Sequence, residues 1–160
     1  MQRSLDLLAP AFRAAVERTL ARLAGGRTEW PFETLRTQAR QAYLYGFGRS
    51  YDDGRGRVTN AATHDLSWHG FGLAVDIVEK DGTPWDAPAG FWLALGEAAE
   101  AEGLVWGGRW QKPDKPHLQW AKCPVTPSIA ARALLASEGM QAVWAFYHAY
   151  AESDLTPSAS

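Results

Sequence analysis

Cysteine is nearly missing from this sequence: Cys123 stands alone. That excludes an intramolecular disulfide and any zinc site assembled from several thiolates. No apolar run is long enough to span a bilayer. The opening MQRSLDLLAPAFRAAVERTL has no uninterrupted apolar stretch behind a basic cluster, so it does not read as a signal peptide. The expectation is a protein made in the cytoplasm, which something else must release if it works outside. Strong net charge is lacking too. A formal charge of −2 gives no ground for nucleic acid as the main partner. There is no internal repeat, and no linker long enough to separate two domains.

What the chain does have is a globular composition. Its 160 residues are 46% apolar and 21% charged, enough for one domain with a core of ordinary size. Charge is unevenly spread. Residues 1–57 carry ten arginines against six acids, or +4, and residues 58–160 carry six bases against twelve acids, or −6. The basic first third suits either an anionic polymer or a solvated, arginine-rich helix face.

Leu5, Leu8, Phe12, Val16, Leu20 and Leu23 recur at helical spacing and predict a helix over 4–24, stopped by Gly25-Gly26. PFETLR (31–36) predicts a short strand, and 38–47 a short helix followed by a polar loop over 49–57. Further strands are expected at 72–78, 104–106 and 117–120, with a helix from 89 to Gly103. Residues 128–150 predict one or two helices broken near Gly139, and residues 151–160 a frayed tail. Helices and strands mix without a regular βαβ rhythm. The expected class is therefore α+β, with a small, mainly antiparallel sheet, in one catalytic domain over 1–150.

Two stretches carry chemistry. SWHGFGLAVDIV places His69 seven residues before Asp76, a carboxylate in the middle of an apolar strand. Burying that charge is costly unless an arginine, backbone N–H groups or a metal ion offsets it. An odd spacing would send the two side chains to opposite faces of one regular strand, but Gly70 and Gly72 permit a bend at the entrance. WGGRWQKPDKPHLQW places Asp114 between two prolines, three residues before His117 at the head of a strand. On that strand His117 and Gln119 share one face. Each stretch alone also fits a structural histidine beside a turn or capping aspartate. Together, His69, Asp76 and His117 supply two nitrogens and one oxygen. Three ligands with an open fourth position is the pattern of catalytic zinc. Asp114 is left free as general base towards water and then general acid towards a leaving amine.

In order and at these intervals, the two stretches resemble the metal-site motifs of the M15 family of peptidoglycan zinc peptidases. LRTQARQAYLYGFGRS followed by VTNA resembles the segment that precedes the first motif in the endolysin-like branch. The resemblance spans about residues 32–120. It implies a zinc peptidase acting on the peptidoglycan stem, with His69, Asp76 and His117 as ligands and Asp114 as acid/base. An aspartate, where many members have glutamate, resembles the L-alanyl–D-glutamate endolysins. A D-alanyl-D-alanine carboxypeptidase or dipeptidase is the alternative within the family. Arg36 matches the family arginine that steadies the oxyanion, and Gln41 and Ser67 fall on motif positions implying substrate contact or bracing. A phage or prophage enzyme of this type would reach the wall after release, as a monomer. The rival of another class is a noncatalytic wall-binding or virion module, which would have no use for a free Asp114.

Trp68, Trp106 and Trp110 flank the expected site and could line a substrate groove, Trp110 foremost. Trp92, Trp120 and Trp144 read as core. His64 reads as a surface loop residue, His148 as a structural residue on the last helix, and the Asp52-Asp53-Gly54 turn as solvated.

Overall fold

The computed structural model describes residues 1–23, 29–80 and 84–150. The expected stop at Gly25-Gly26 and the tail 151–160 lie outside these residues. The expected first helix is shorter than its periodicity. Leu5–Leu7 form a 3-10 turn, and helix α1 runs from Pro10 to Leu23. Proline at the first helical position starts a helix but cannot sit inside one. The residue before a proline is also pushed off helical geometry. The Ser4 hydroxyl accepts from the Asp6 N–H to cap the short turn, and the Ala9 N–H donates to the Gly72 carbonyl at 2.9 Å.

Strand β1 is Glu29–Glu33, earlier than the expected 31–36. Pro31 has no N–H for a ladder, so this strand belongs at a sheet edge, and an edge is where it lies. Pairing slips between Pro31 and Glu33, and the chain then turns away, so Thr34–Arg36 lie outside the strand. The Thr37 hydroxyl accepts from the Arg40 N–H and caps α2, Gln38–Gly46. The central strand β2 is Ala74–Glu79. Helix α3, Ala89–Ala101, leads into β3, Leu104–Trp106, and then β4, His117–Trp120. Helices α4, Ile129–Glu138, and α5, Met140–Phe146, meet at Gly139. His148 lies beyond α5, exposed and with φ at 51°, rather than on the helix.

The strands order as β1-β2-β4-β3, every neighbouring pair antiparallel. The α+β class with a small antiparallel sheet is what the sequence led us to expect. Val75, Ile77 and Leu118 are buried in one apolar core that takes side chains from Leu8 to Ala149. Alternation along the strands turns Asp76, His117 and Gln119 the other way. Asp76 pairs directly with His117 across β2 and β4, and with Glu33 across β1 and β2.

Candidate metal centre

Asp76 and His117 are cross-strand partners, so their side chains start from neighbouring points on one face of the sheet. His69 reaches the same point from a 3-10 turn, Trp68–Phe71. That turn ends at Gly72 with φ at 65°, a left-handed position where L side chains are strained. A Cβ there would also stand 2.7 Å from the Leu7 carbonyl. The reversal at Gly72 overcomes the odd spacing between His69 and Asp76.

The three donor atoms form a near-equilateral triangle. His69 Nε2 lies 3.3 Å from Asp76 Oδ1, His117 Nδ1 lies 3.4 Å from the same oxygen, and the two nitrogens are 3.3 Å apart. Zinc with bonds of about 2.0–2.1 Å to tetrahedral ligands sets its donors about 3.3–3.4 Å apart. The three residues are all buried and able to hold a metal ion, and the donor set fits zinc.

Surrounding hydrogen bonds decide which ring nitrogens face inward. His69 Nδ1 is 2.8 Å from the Thr34 carbonyl, which can only accept, so Nδ1 carries the proton and Nε2 offers its lone pair. The Gln119 amide nitrogen donates to the Pro124 carbonyl at 3.1 Å. Its oxygen therefore faces His117 Nε2, 3.2 Å away, and that nitrogen donates. His117 Nδ1 is left to point inward. Ring nitrogens fixed by a carbonyl or amide partner are the usual support of metal-binding imidazoles.

The charges agree. Burial disfavours the Asp76 carboxylate, but the two imidazoles beside it outweigh that and hold its pKa well below the usual range. Burial, with the nearby Arg36 cation, lowers the His69 pKa and keeps that ring neutral. For His117 burial also works downward, but the hydrogen bond and charge of Asp76 win and raise it. A proton on His117 thus competes with a metal ion for the same donors.

Arg36 is buried and held on several sides. Its Nε and Nη2 donate to Glu33 Oε2 at 3.0 and 2.7 Å, and Nη1 donates to Gln41 Oε1 at 3.3 Å. Nη2 also lies 3.5 Å from Asp76 Oδ2. Gln41 is fully buried, and its amide nitrogen donates to the Ala61 carbonyl at 2.6 Å. Both ends of that amide are engaged within the chain, and its oxygen helps to orient Arg36.

A cleft of about 680 Å³ opens above the triangle. Ser67, Trp110 and Asp114 line it, and the Trp110 ring lies 5.1 Å from the His117 ring. Asp114 is carried on a tight loop: its N–H donates to the Gly107 carbonyl at 3.0 Å, and its carbonyl accepts from the His117 N–H at 3.2 Å. A Cβ on Gly107 would stand 2.6 Å from the Asp114 carbonyl oxygen, so only glycine admits this approach. The Asp114 carboxylate has no hydrogen-bond partner among the described residues. Although the residue is exposed overall, desolvation of the carboxyl, then the negative charge of Asp76, push its pKa up.

Of the three flanking tryptophans, Trp106 is not a groove residue. It is buried, and its indole N–H donates to the Lys115 carbonyl at 2.6 Å, tying down the loop that bears Asp114. Trp68 is buried with its N–H on the Pro124 carbonyl at 2.8 Å, yet still borders the cleft. His64 bonds to Gln38, with 2.7 Å between its Nδ1 and Gln38 Oε1, apart from the triangle. Cys123 is buried, and burial pushes its thiol up to about 12.

The sequence reading passed over Glu33, Thr34 and the bonding role of Gln119. Gln119 left a trace, two residues beyond His117 on the same strand face. Glu33 left a fainter one, three residues before Arg36 and seven before Arg40.

Comparison with known proteins follows the same residues. Residues 60–120 match the model of an M15 peptidase family described as D-alanyl-D-alanine carboxypeptidase. Over 98 residues the chain is 34% identical to the peptidoglycan L-alanyl-D-glutamate endopeptidase CwlK of Bacillus subtilis, which covers 54% of this chain. The match spans 57% of that relative's length. The fold is similar to the L-Ala D-Glu endopeptidase ChiX of Serratia marcescens, with a TM-score of 0.56 and 22% identity over 72% of this chain and 82% of ChiX. It is also similar to a mutant of the vancomycin-resistance D,D-pentapeptidase VanY, solved in complex with Zn(II). That likeness has a TM-score of 0.50 and 17% identity over 81% of this chain and 78% of VanY.

Proposed function

We propose that the chain is a peptidase of the M15 type, supported by the family model matched over residues 60–120 and by the endopeptidase relative, and that it is a zinc-dependent hydrolase of peptide bonds in the peptidoglycan stem, of L-alanyl–D-glutamate endopeptidase type. The observation that carries the reading is the donor triangle, with edges of 3.3, 3.3 and 3.4 Å. Its size matches three corners of a zinc tetrahedron, and all three residues line the cleft from which a substrate would approach.

His69 Nε2, Asp76 Oδ1 and His117 Nδ1 are the zinc ligands of this reading. Zinc held there would supply a Lewis acid to polarise the scissile carbonyl and activate water. The chain's own residues do the rest. Asp114, unpartnered at the edge of the cleft, takes the proton from the attacking water and passes it to the departing amine nitrogen. Its raised pKa brings it closer to neutrality than an ordinary aspartate, which suits both roles. Arg36 presents its one remaining N–H, on Nη1, to the developing oxyanion, held in advance by Glu33 and Gln41 so that little reorganisation is needed. Trp110 packs against His117 and forms a wall that limits water. Residues 1–150 act as the catalytic unit, because the core joins segments from both ends of that range.

The bond cleaved rests on the endopeptidase relative, aligned over about half its length. The carboxypeptidase description of the matched family supports the second reading, release of a terminal D-alanine. Incubating the protein with purified peptidoglycan separates the two. New N-terminal D-glutamate supports the endopeptidase, and free D-alanine supports the carboxypeptidase. Neither product, with the protein sedimenting on the wall, would overturn the catalytic reading in favour of a binding module. No described helix is long and apolar enough to cross a membrane.

A further inference from the structure

Glu33 is 2% exposed and has both carboxylate oxygens filled by arginines that reach towards the cleft. Oε2 accepts from Arg36, and Oε1 accepts from Arg40 Nε at 2.8 Å. The second arginine has no place in the hydrolytic step. Its side chain is mostly buried and borders the cleft. Among the described residues no oxygen accepts from its two terminal NH2 groups; Nη2 meets only the Met1 thioether, at 3.6 Å. Thioether sulfur is a weak acceptor. Arg40 is therefore a cation gripped by its Nε, with the planar outer edge that binds carboxylates in bidentate fashion left unfilled.

We propose that Arg40 binds a free carboxylate on the substrate residue that carries the departing amine, and so selects substrates in which that residue is an unamidated acid. This rests on the peptidase reading above and names its substrate requirement. One buried carboxylate, Glu33, sets both arginines at once: Arg36 beside Asp76, and Arg40 one step further along the cleft. In an L-alanyl–γ-D-glutamyl peptide, the D-glutamate supplies the departing nitrogen and carries its α-carboxylate next to it. A terminal D-alanine places a carboxylate in the same relation to the scissile bond. Arg40 thus serves the chemistry common to both cleavages. Phe32 and Trp85, stacked edge-on with ring centres 4.8 Å apart, also line the cleft and give an apolar wall for the peptide beside that carboxylate.

The test compares two synthetic stem peptides containing the L-alanyl–γ-D-glutamyl bond, one with the α-carboxylate free and one with it as carboxamide. The zinc-loaded protein should cleave the acid with a kcat/KM about tenfold to a hundredfold above that of the amide, as expected for losing a charge-assisted hydrogen-bond pair. Arg40→Gln should bring the ratio close to one, and Arg40→Lys should keep part of it. Melting temperature and zinc content identify any variant that fails to fold, in which case the comparison of Arg40→Lys with the unaltered chain decides. Equal cleavage of acid and amide by the unaltered protein overturns the assignment alone, as does a ratio unchanged in Arg40→Gln. If neither this pair nor a peptide ending in D-alanyl-D-alanine is cut, the peptidase reading falls and takes this one with it.

Discussion

The Gln119 amide oxygen and His117 Nε2 face each other at 3.2 Å, and the bond from Gln119 to Pro124 decides which end of the amide does so. One amide on β4 thereby sets the tautomer of an imidazole on the same strand. Gln119→Leu keeps the volume and removes both bonds. Zinc affinity should fall about tenfold to a hundredfold, the usual cost of losing a partner behind a metal-binding imidazole. Competition with a chromophoric chelator measures it.

Metal removal should be felt in stability as well as activity. The proposed ligands bring a buried carboxylate and two buried rings to within 3.4 Å of one another. Dialysis against a chelator should lower Tm, and zinc should restore it, because a ligand bound only by the folded state stabilises by about 4 kcal/mol at a thousandfold excess over Kd. His69→Ala should abolish the zinc-dependent rise. A thermal melt with and without added zinc reads both.

Asp114→Asn removes the proposed proton acceptor and keeps the shape. Turnover should fall about 10²–10⁴-fold, with zinc content unchanged. The native pH profile also carries a sign. In the proposed mechanism Asp114 acts first as a base, and its pKa is raised by desolvation of the carboxyl and by Asp76. Activity should therefore fall as pH drops through a value above the ordinary 3.8 of aspartate. A limb at or below 3.8 would assign the base elsewhere.

Asp65 offers a stability test remote from the chemistry. Arg132 on α4 donates to its carboxylate at 2.7 Å. Burial acts against the charged form, but the Thr63 hydroxyl and Arg132 prevail and lower the pKa. A carboxyl with a depressed folded pKa stabilises the fold above its unfolded value, and that gain is lost as pH falls through the folded value. Arg132→Met should cost about 0.2–1 kcal/mol at neutral pH, and the gap should narrow on acidification below 3.8. Urea melts at two pH values decide it.

The metal triangle was legible in the sequence because coordination chemistry admits few residue types. Each stretch alone also fits a structural histidine beside a turn or capping aspartate; it was the two together, in the order and at the intervals of the M15 motifs, that pointed to one donor set. The sheet was legible from its short apolar runs. Local periodicity misled at the N-terminus, where leucines at helical spacing straddle Pro10, and a missing N–H outweighs any stripe. It misled again at β1, where pairing slips after Pro31 and the chain leaves the sheet early. Glu33 was invisible because its meaning is tertiary. Nothing in a linear reading says that this edge-strand carboxylate lies opposite Asp76 and anchors two arginines from the following segment.

The Pro124 carbonyl accepts from both Trp68 and Gln119, at 2.8 and 3.1 Å. It thus clasps the turn that bears one imidazole to the strand that bears the other, from a position four residues past the matched stretch 60–120. The recognisable motif block is accordingly not a portable cassette. Grafted elsewhere or trimmed after Trp120, it would carry all three donors yet lack the knot that keeps them converged.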